Sequence, residues 1–392
     1  MKTEPKYFCK APFKSTVIDT GGLLLPCCEF MTGVSDLENY KLNAGQDWHF
    51  NKWWTQGLDP LREKMLRGEV DKGCEHCIVK EKHGLQNHRQ VTNSSSDDSY
   101  EKIKQDYLAG KRDYPEQVEL RLGNYCNLKC IMCGPYASSS IMNEYKKNQR
   151  LYNDFGIESN WQDPHMTKNW YSYDHNKDLM LDIVSKATRL NFGGGEPFIS
   201  PVIGEVLDAV SPQAEISFNT NMTKINDKIL DALKKFKKVS ISASIDGVGS
   251  YNDYLRHGSD WSGIEKNFQK ILQLDNVNLY INYVLQHTSI YTLPGVIDFA
   301  KKNRILLTYQ EVYHGSVDGS GHLTLNSACK QDVDSCKDWI DSTEFTNKST
   351  VKKWCDSYAF DKVLHERFKK YVKLLDDIRG NSFIKTFNPS WA

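Results

Sequence analysis

From about residue 115 onward the apolar positions switch repeatedly between two periods. Short runs rich in Val, Ile, Leu, Phe and Tyr predict strands at 117–123, 189–193, 215–220, 239–245, 278–285 and 306–312. Between them, stretches with apolar residues at helical spacing predict helices over 225–236, 261–274 and 292–303. Strand followed by helix, six times over, predicts a parallel sheet with helices outside, an α/β architecture. Near the C-terminus Leu364, Phe368, Tyr371, Leu375 and Ile378 recur at helical spacing, a stripe that predicts an amphipathic helix packed on the core.

The first ninety residues follow neither rhythm. They hold short apolar runs, turn signals and a helix-like stretch over 48–69, and they end at the polar cluster TNSSSDDS, 92–99, which reads as a linker or surface loop. A polar and aromatic insertion, 151–176, with Trp161, Trp170 and Tyr171, interrupts the barrel-like pattern and reads as a lid or a surface excursion. The expected organisation is a cysteine-rich domain over 1–91, a linker and approach helix over 92–114, an α/β core over 115–315 and a helical extension over 316–392.

Bulk charge narrows the partners. Lys plus Arg and Asp plus Glu both number 50, so the net charge is zero and a nucleic-acid partner is disfavoured. No apolar run reaches the length of a membrane span, and the N-terminal MKTEPKYFCKAPFK lacks the apolar core of a secretory signal. A reducing cytoplasm is the expected compartment, so the 11 cysteines call for something other than disulfides.

Two cysteine groups have ligand spacing: Cys9, Cys27, Cys28, Cys74 and Cys77, and then Cys126, Cys130 and Cys133 in CNLKCIMC. Cys329, Cys336 and Cys355 read as buried or incidental thiols. CNLKCIMC begins just after the first predicted core strand, where parallel α/β folds place their ligand sites. GGGEPF, 193–198, follows the second strand, Asn221 the third, Ser244 and Asp246 the fourth, and Arg256 comes soon after. All these features fall on one rim. A structural zinc site closes with four ligands, whereas three thiols leave one metal corner open.

CNLKCIMC, GGEP and TN at three successive strand ends together resemble the radical S-adenosylmethionine (SAM) superfamily, over roughly residues 115–315. The resemblance implies an open six-stranded (β/α)6 TIM-like barrel. It also implies that Cys126, Cys130 and Cys133 hold a 4Fe-4S cluster whose remaining iron binds SAM, the source of a 5′-deoxyadenosyl radical that abstracts a substrate hydrogen. On the same resemblance Gly194, Gly195 and Glu196 bind the methionine amine, Asn221 contacts the ribose, and Ser244 is a further cofactor contact. Arg256 resembles the arginine that pairs with the methionine carboxylate. Met132 stands where the family often has an aromatic, and Met222 where it often has glycine.

The N-terminal cysteines extend the match. Cys9, twelve residues to Gly22, four more to Cys27, and then CEHC at Cys74 and Cys77 resemble the ligand set of a twitch domain, the shortened SPASM module, here ahead of the barrel. Cys9, Cys27, Cys74 and Cys77 would hold an auxiliary 4Fe-4S cluster, with Cys28 an alternative to Cys27. Zinc also suits four thiolates. Iron and sulfur are preferred because the barrel motif already implies a cluster protein. Tyr313 and His314, at the end of the sixth strand, read as packed more readily than catalytic.

These resemblances make the chain an expected radical SAM enzyme acting on a peptide, a protein side chain or a small polar metabolite, with peptide maturation first. They also imply a flavodoxin- or ferredoxin-type electron donor. Nucleoside or tRNA modification by the same chemistry is the alternative within the family, and a zinc or electron-transfer protein is the alternative outside it.

Overall fold

The computed structural model describes residues 4–37, 50–82, 86–95, 98–112, 114–157, 169–312 and 321–392. In chain order the strands are β1 (Ser15–Ile18), β2 (Leu24–Leu25), β3 (Gln117–Arg121), β4 (Lys129–Cys130), β5 (Arg189–Gly193), β6 (Glu215–Thr220), β7 (Lys238–Ser244), β8 (Arg256–His257), β9 (Val277–Leu285) and β10 (Leu306–Glu311). Eight of them form one sheet in the order β10-β9-β7-β6-β5-β3-β1-β2, while β4 and β8 pair as a separate antiparallel ribbon. β10 and β2 are its edges, so the sheet stays open.

The six strands expected from periodicity all form, and every neighbouring pair among them is parallel. The expected count of six is corrected to eight because β1 adds in parallel to β3, Val17 opposite Glu119, and β2 turns back on β1. β1 and β2, both within the first 91 residues, are therefore part of the core sheet. The boundary drawn at 91 and 92 falls inside the helix His88–Ser95. That helix also takes in the start of the polar stretch read as a linker.

A parallel sheet covered on both faces reads as continuous apolar runs. These strands alternate instead. Along β9, Leu279, Ile281, Tyr283 and Leu285 are buried while Tyr280, Asn282 and Val284 are half-buried. The buried set packs into the main core with helices such as Trp261–Ile271 and Ser289–Asn303. The other set faces the concave side, where Glu119, Asn191, Ser217, Ser240 and Tyr280 line a cavity of about 390 Å³ near the strands' amino ends.

Local signals set the helix starts. Asp260 accepts from the Gly263 amide at 3.1 Å, and Asn226 from the Ile229 amide at 3.0 Å, each satisfying an orphan donor of the first turn. The helix expected over 225–236 runs Asp227–Leu233, shorter than its apolar spacing predicts. Trp170 and Tyr171 are not a surface excursion. Both are buried, and they donate to the Arg121 and Leu122 carbonyls just past β3. Trp161, Tyr313 and His314 lie outside the described residues.

The C-terminal extension forms the helices Lys330–Ser342, Lys348–Asp356, Lys362–Arg379 and Phe383–Phe387. Phe368, Tyr371 and Leu375 of the expected stripe are buried, in a second core shared with Ile131, Tyr145, Tyr254 and Leu255. This extension thus packs directly on the cysteine loop. Cys336 and Cys355 are buried in the main core, in keeping with the reading of incidental thiols. Among the described residues no helix is long and apolar enough to cross a membrane.

Candidate functional site

Cys126, Cys130 and Cys133 sit on one loop that leaves β3, passes through β4 and enters the helix Ser139–Lys147. Three consecutive serines fasten it. Ser138 donates to the Leu128 carbonyl at 2.6 Å and caps the helix, Ser139 accepts from the Cys126 amide at 3.2 Å, and Ser140 donates to the Cys126 carbonyl at 2.8 Å. Cys130 pairs with Arg256 across the β4–β8 ribbon, and the Ile131 amide reaches the Leu255 carbonyl at 2.9 Å. Such fastening fixes the thiols on a rigid frame.

The glycine loop after β5 lies against the same segment. The Gly195 amide donates to the Gly123 carbonyl at 3.0 Å, and the Glu196 amide to the Tyr125 carbonyl at 2.6 Å. Gly194 has φ +96°, and a Cβ on Gly195 would stand 2.2 Å from the Tyr125 oxygen. Here glycine is required by close backbone approach as well as by conformation.

Glu196 turns inward and is 2% exposed. It accepts from the Asn221 amide at 2.6 Å, the Thr220 hydroxyl at 2.8 Å and the Phe198 amide at 3.2 Å. Burial pushes its carboxyl up to about 7, against the pull of those donors and of the Arg256 charge. Asn221 bridges the loops, its Nδ2 lying 3.2 Å from Asn127 Oδ1 and 3.9 Å from Cys126 Sγ. Ser244 ends β7 half-buried, on the sheet face of Ser240. Met132 packs against the second core.

Arg256 is the charged group of the rim. Its Nη2 lies 2.7 Å from Asp246 Oδ2, its Nη1 donates to Cys130 Sγ at 3.7 Å, and its buried Nε has no partner among the described residues. Asp246 also accepts from the Val284 amide at 3.0 Å. No sequence signal announces this grip, because it joins the ends of three strands. The Cys130 thiol is lowered, first by its hydrogen bond with Cys133 and then by the Arg256 charge, both acting against burial. Burial pushes Cys126 up to about 12.

Three thiols on one loop, a buried cation beside them and a carboxylate on the next strand suit an iron-sulfur cluster with one open corner. The donor set is all sulfur, the soft ligand such clusters take.

The N-terminal cysteines meet elsewhere. Cys9, Cys27, Cys74 and Cys77 line one small pocket with Met65, Ile78 and Arg89. Burial raises all four thiols, and mutual repulsion adds to it: Cys27 feels Cys9 and Cys74, and Cys74 feels Cys9 and Cys77. Cys28 is exposed and lines the barrel cavity, 3.8 Å from His88 Nδ1. Cys27 and His88 line both spaces, so this pocket adjoins the barrel cavity. Among the described residues no three His, Cys, Asp or Glu side chains are grouped closely enough to hold a single metal ion.

Residues 120–296 match the family model of the radical SAM superfamily. No curated protein matches the chain. Similar solved structures include Streptococcus suis SuiB bound to precursor peptide SuiA, 14% identical with a TM-score of 0.39, covering 74% of this chain and 66% of that one. Coproporphyrinogen III oxidase (HemN) from Escherichia coli is 12% identical with a TM-score of 0.34, covering 68% of this chain and 53% of that one. TYW1 with a lysine-pyruvate adduct bound is 10% identical with a TM-score of 0.33, covering 58% of this chain and 74% of that one. The chain thus spans just under two thirds of SuiB and about half of HemN.

Proposed function

We propose that this chain, whose residues 120–296 match the radical SAM superfamily model, is a radical SAM enzyme that modifies a peptide, a protein side chain or a small polar metabolite in its barrel. In this reading Cys126, Cys130 and Cys133 hold the 4Fe-4S cluster and the rim residues hold SAM. When bound, the two supply one-electron cleavage of the sulfonium carbon–sulfur bond and abstraction of a substrate hydrogen by the 5′-deoxyadenosyl fragment.

The observation that carries the reading is the seating of the Gly194–Gly195 backbone on residues 123–125, directly before Cys126. That contact joins the thiol loop to the carboxylate loop. Glu196 is positioned to take the methionine ammonium, and the unpartnered Arg256 Nε to take its carboxylate. Asn221, beside Cys126, reaches the ribose, and Ser244 lines the same face. The polar side chains that the concave side carries, Glu119, Asn191, Ser217 and Ser240, support a polar substrate.

The convergence of Cys9, Cys27, Cys74 and Cys77 on one pocket supports an auxiliary 4Fe-4S cluster there, and Cys28, facing the barrel cavity, is the poorer ligand. Anaerobic reconstitution with iron and sulfide, followed by dithionite and SAM, tests both assignments. About eight irons per chain and release of 5′-deoxyadenosine are expected. Replacing Cys126, Cys130 and Cys133 with Ala abolishes the nucleoside, and its persistence refutes the assignment. Replacing Cys74 and Cys77 removes about four irons, and an unchanged iron count removes the second cluster.

A further inference from the structure

We propose that the buried Arg256–Asp246 ion pair is a charge couple that sets the reduction potential of the cluster on Cys126, Cys130 and Cys133. The proposal rests on the cluster reading above and adds a task to Arg256 beyond binding SAM. Three observations carry it. Arg256 points Nη1 at Cys130 Sγ, 3.7 Å away. Its Nη2 lies 2.7 Å from Asp246 Oδ2, with the two side chains 9% and 1% exposed. The other oxygen of Asp246 is held by the Val284 amide at 3.0 Å, so the carboxylate cannot swing away from the pair.

Reduction adds one negative charge to a cluster. A guanidinium donating to a ligand sulfur stabilises that charge and raises the potential. A carboxylate one side chain further out opposes it, and in a buried site neither effect is screened as it would be in water. The couple therefore holds the potential between two extremes. Asp246 restrains the cation, and Arg256 keeps the cluster reducible by a biological one-electron donor. The backbone fixes the spacing, since Arg256 pairs with Cys130 in the β4–β8 ribbon and Asp246 follows the end of β7.

The proposal assigns opposite signs to two neighbouring substitutions, which a merely structural role does not. The test is an EPR-monitored redox titration of reconstituted full-length protein, without SAM, for the wild type, Arg256→Gln, Asp246→Asn, the double variant and Arg256→Lys. Arg256→Gln lowers the midpoint, Asp246→Asn raises it, the double variant returns towards the wild-type value, and Arg256→Lys stays near it. Shifts of one common sign, or no shift with the cluster loaded, overturn the proposal. The double variant and Arg256→Lys guard against a single variant that fails to fold. If the wild-type loop takes up no reducible cluster, the cluster reading falls and this proposal with it. Loaded clusters with unmoved midpoints sink this proposal alone.

Discussion

The hydroxyl of Tyr371 donates a 2.9 Å hydrogen bond to the carbonyl of Ile131, the residue between Cys130 and Met132. A helix of the C-terminal extension thereby holds a cysteine loop some 240 residues earlier in the chain. Tyr371 and Ile131 are both buried, so no water replaces the bond if it is removed. Tyr371→Phe keeps the ring packing and deletes only the hydroxyl. The expected cost is about 1–2 kcal/mol of stability, read from denaturant midpoints. Faster loss of iron from the reconstituted variant on exposure to a chelator is expected alongside it.

Glu144, on the helix that follows the cysteines, is clasped by Arg379 at 2.8 Å and Lys129 at 2.7 Å, and the Glu144 and Arg379 side chains are almost fully buried. Burial by itself would raise the Glu144 carboxyl, but the hydrogen bonds and charges of Arg379 and Lys129 outweigh it and hold it low. Arg379→Met leaves a buried carboxylate with only Lys129 and the Tyr152 hydroxyl, 2.9 Å away, and the loss is about 3–5 kcal/mol. Because the folded carboxyl titrates below its unfolded value of about 4.3, this stabilisation is complete above that pH and lost as pH falls below it. Acid unfolding followed by circular dichroism should therefore be less steep in Glu144→Gln than in the wild type.

Strand periodicity made the six core strands legible, because the inward face is polar and the outward face apolar, so each strand alternates visibly. β1 was hidden. All four of its residues, Ser15–Ile18, are buried, so it shows no alternation, and its parallel partner lies about a hundred residues away. The position of the rim residues could be read, since their motifs fall at strand ends. The grip of Asp246 on Arg256 could not, because it depends on where three strand ends meet. Met222 is a mixed case. Its departure from glycine was plain in the sequence, yet its φ of +62° was not. The fully buried side chain and a 2.7 Å bond from Asn267 Nδ2 to its carbonyl hold that conformation.

Gly195 offers a steric test of the loop contact. A methyl group there meets the Tyr125 carbonyl oxygen at 2.2 Å and its carbon at 2.7 Å, and both are backbone atoms that cannot rotate away. Gly195→Ala is expected to displace the segment before Cys126, costing about 2–4 kcal/mol and lowering the iron bound on reconstitution. Gly204 is the control. It lies in the helix Ile203–Ala209 with open space where its Cβ would be. Gly204→Ala should be neutral or stabilising by about 0.5–1 kcal/mol. Equal iron loss in both variants would count against the contact.

Glu196 ties the site to pH. Its folded carboxyl titrates near 7, raised by burial, while an unfolded glutamate titrates near 4.3. Between those values the folded protein holds a proton that the unfolded chain has released, so this group's contribution to stability falls as pH rises and levels off above about 7. Glu196→Gln removes that slope, and the difference between wild-type and variant unfolding free energies should shrink or change with pH only inside this window. On the proposal that Glu196 takes the methionine ammonium, SAM binding runs the other way. An ammonium group pairs with the ionised carboxylate, so affinity is expected to rise as pH approaches 7 and to flatten beyond it. Below 7 the loss is at most roughly tenfold per pH unit. Equilibrium dialysis of SAM against reconstituted protein between about pH 5.5 and 8.5 measures it. A wild-type slope that survives in Glu196→Gln would assign the titration to another group and leave Glu196 without a role in holding the amine.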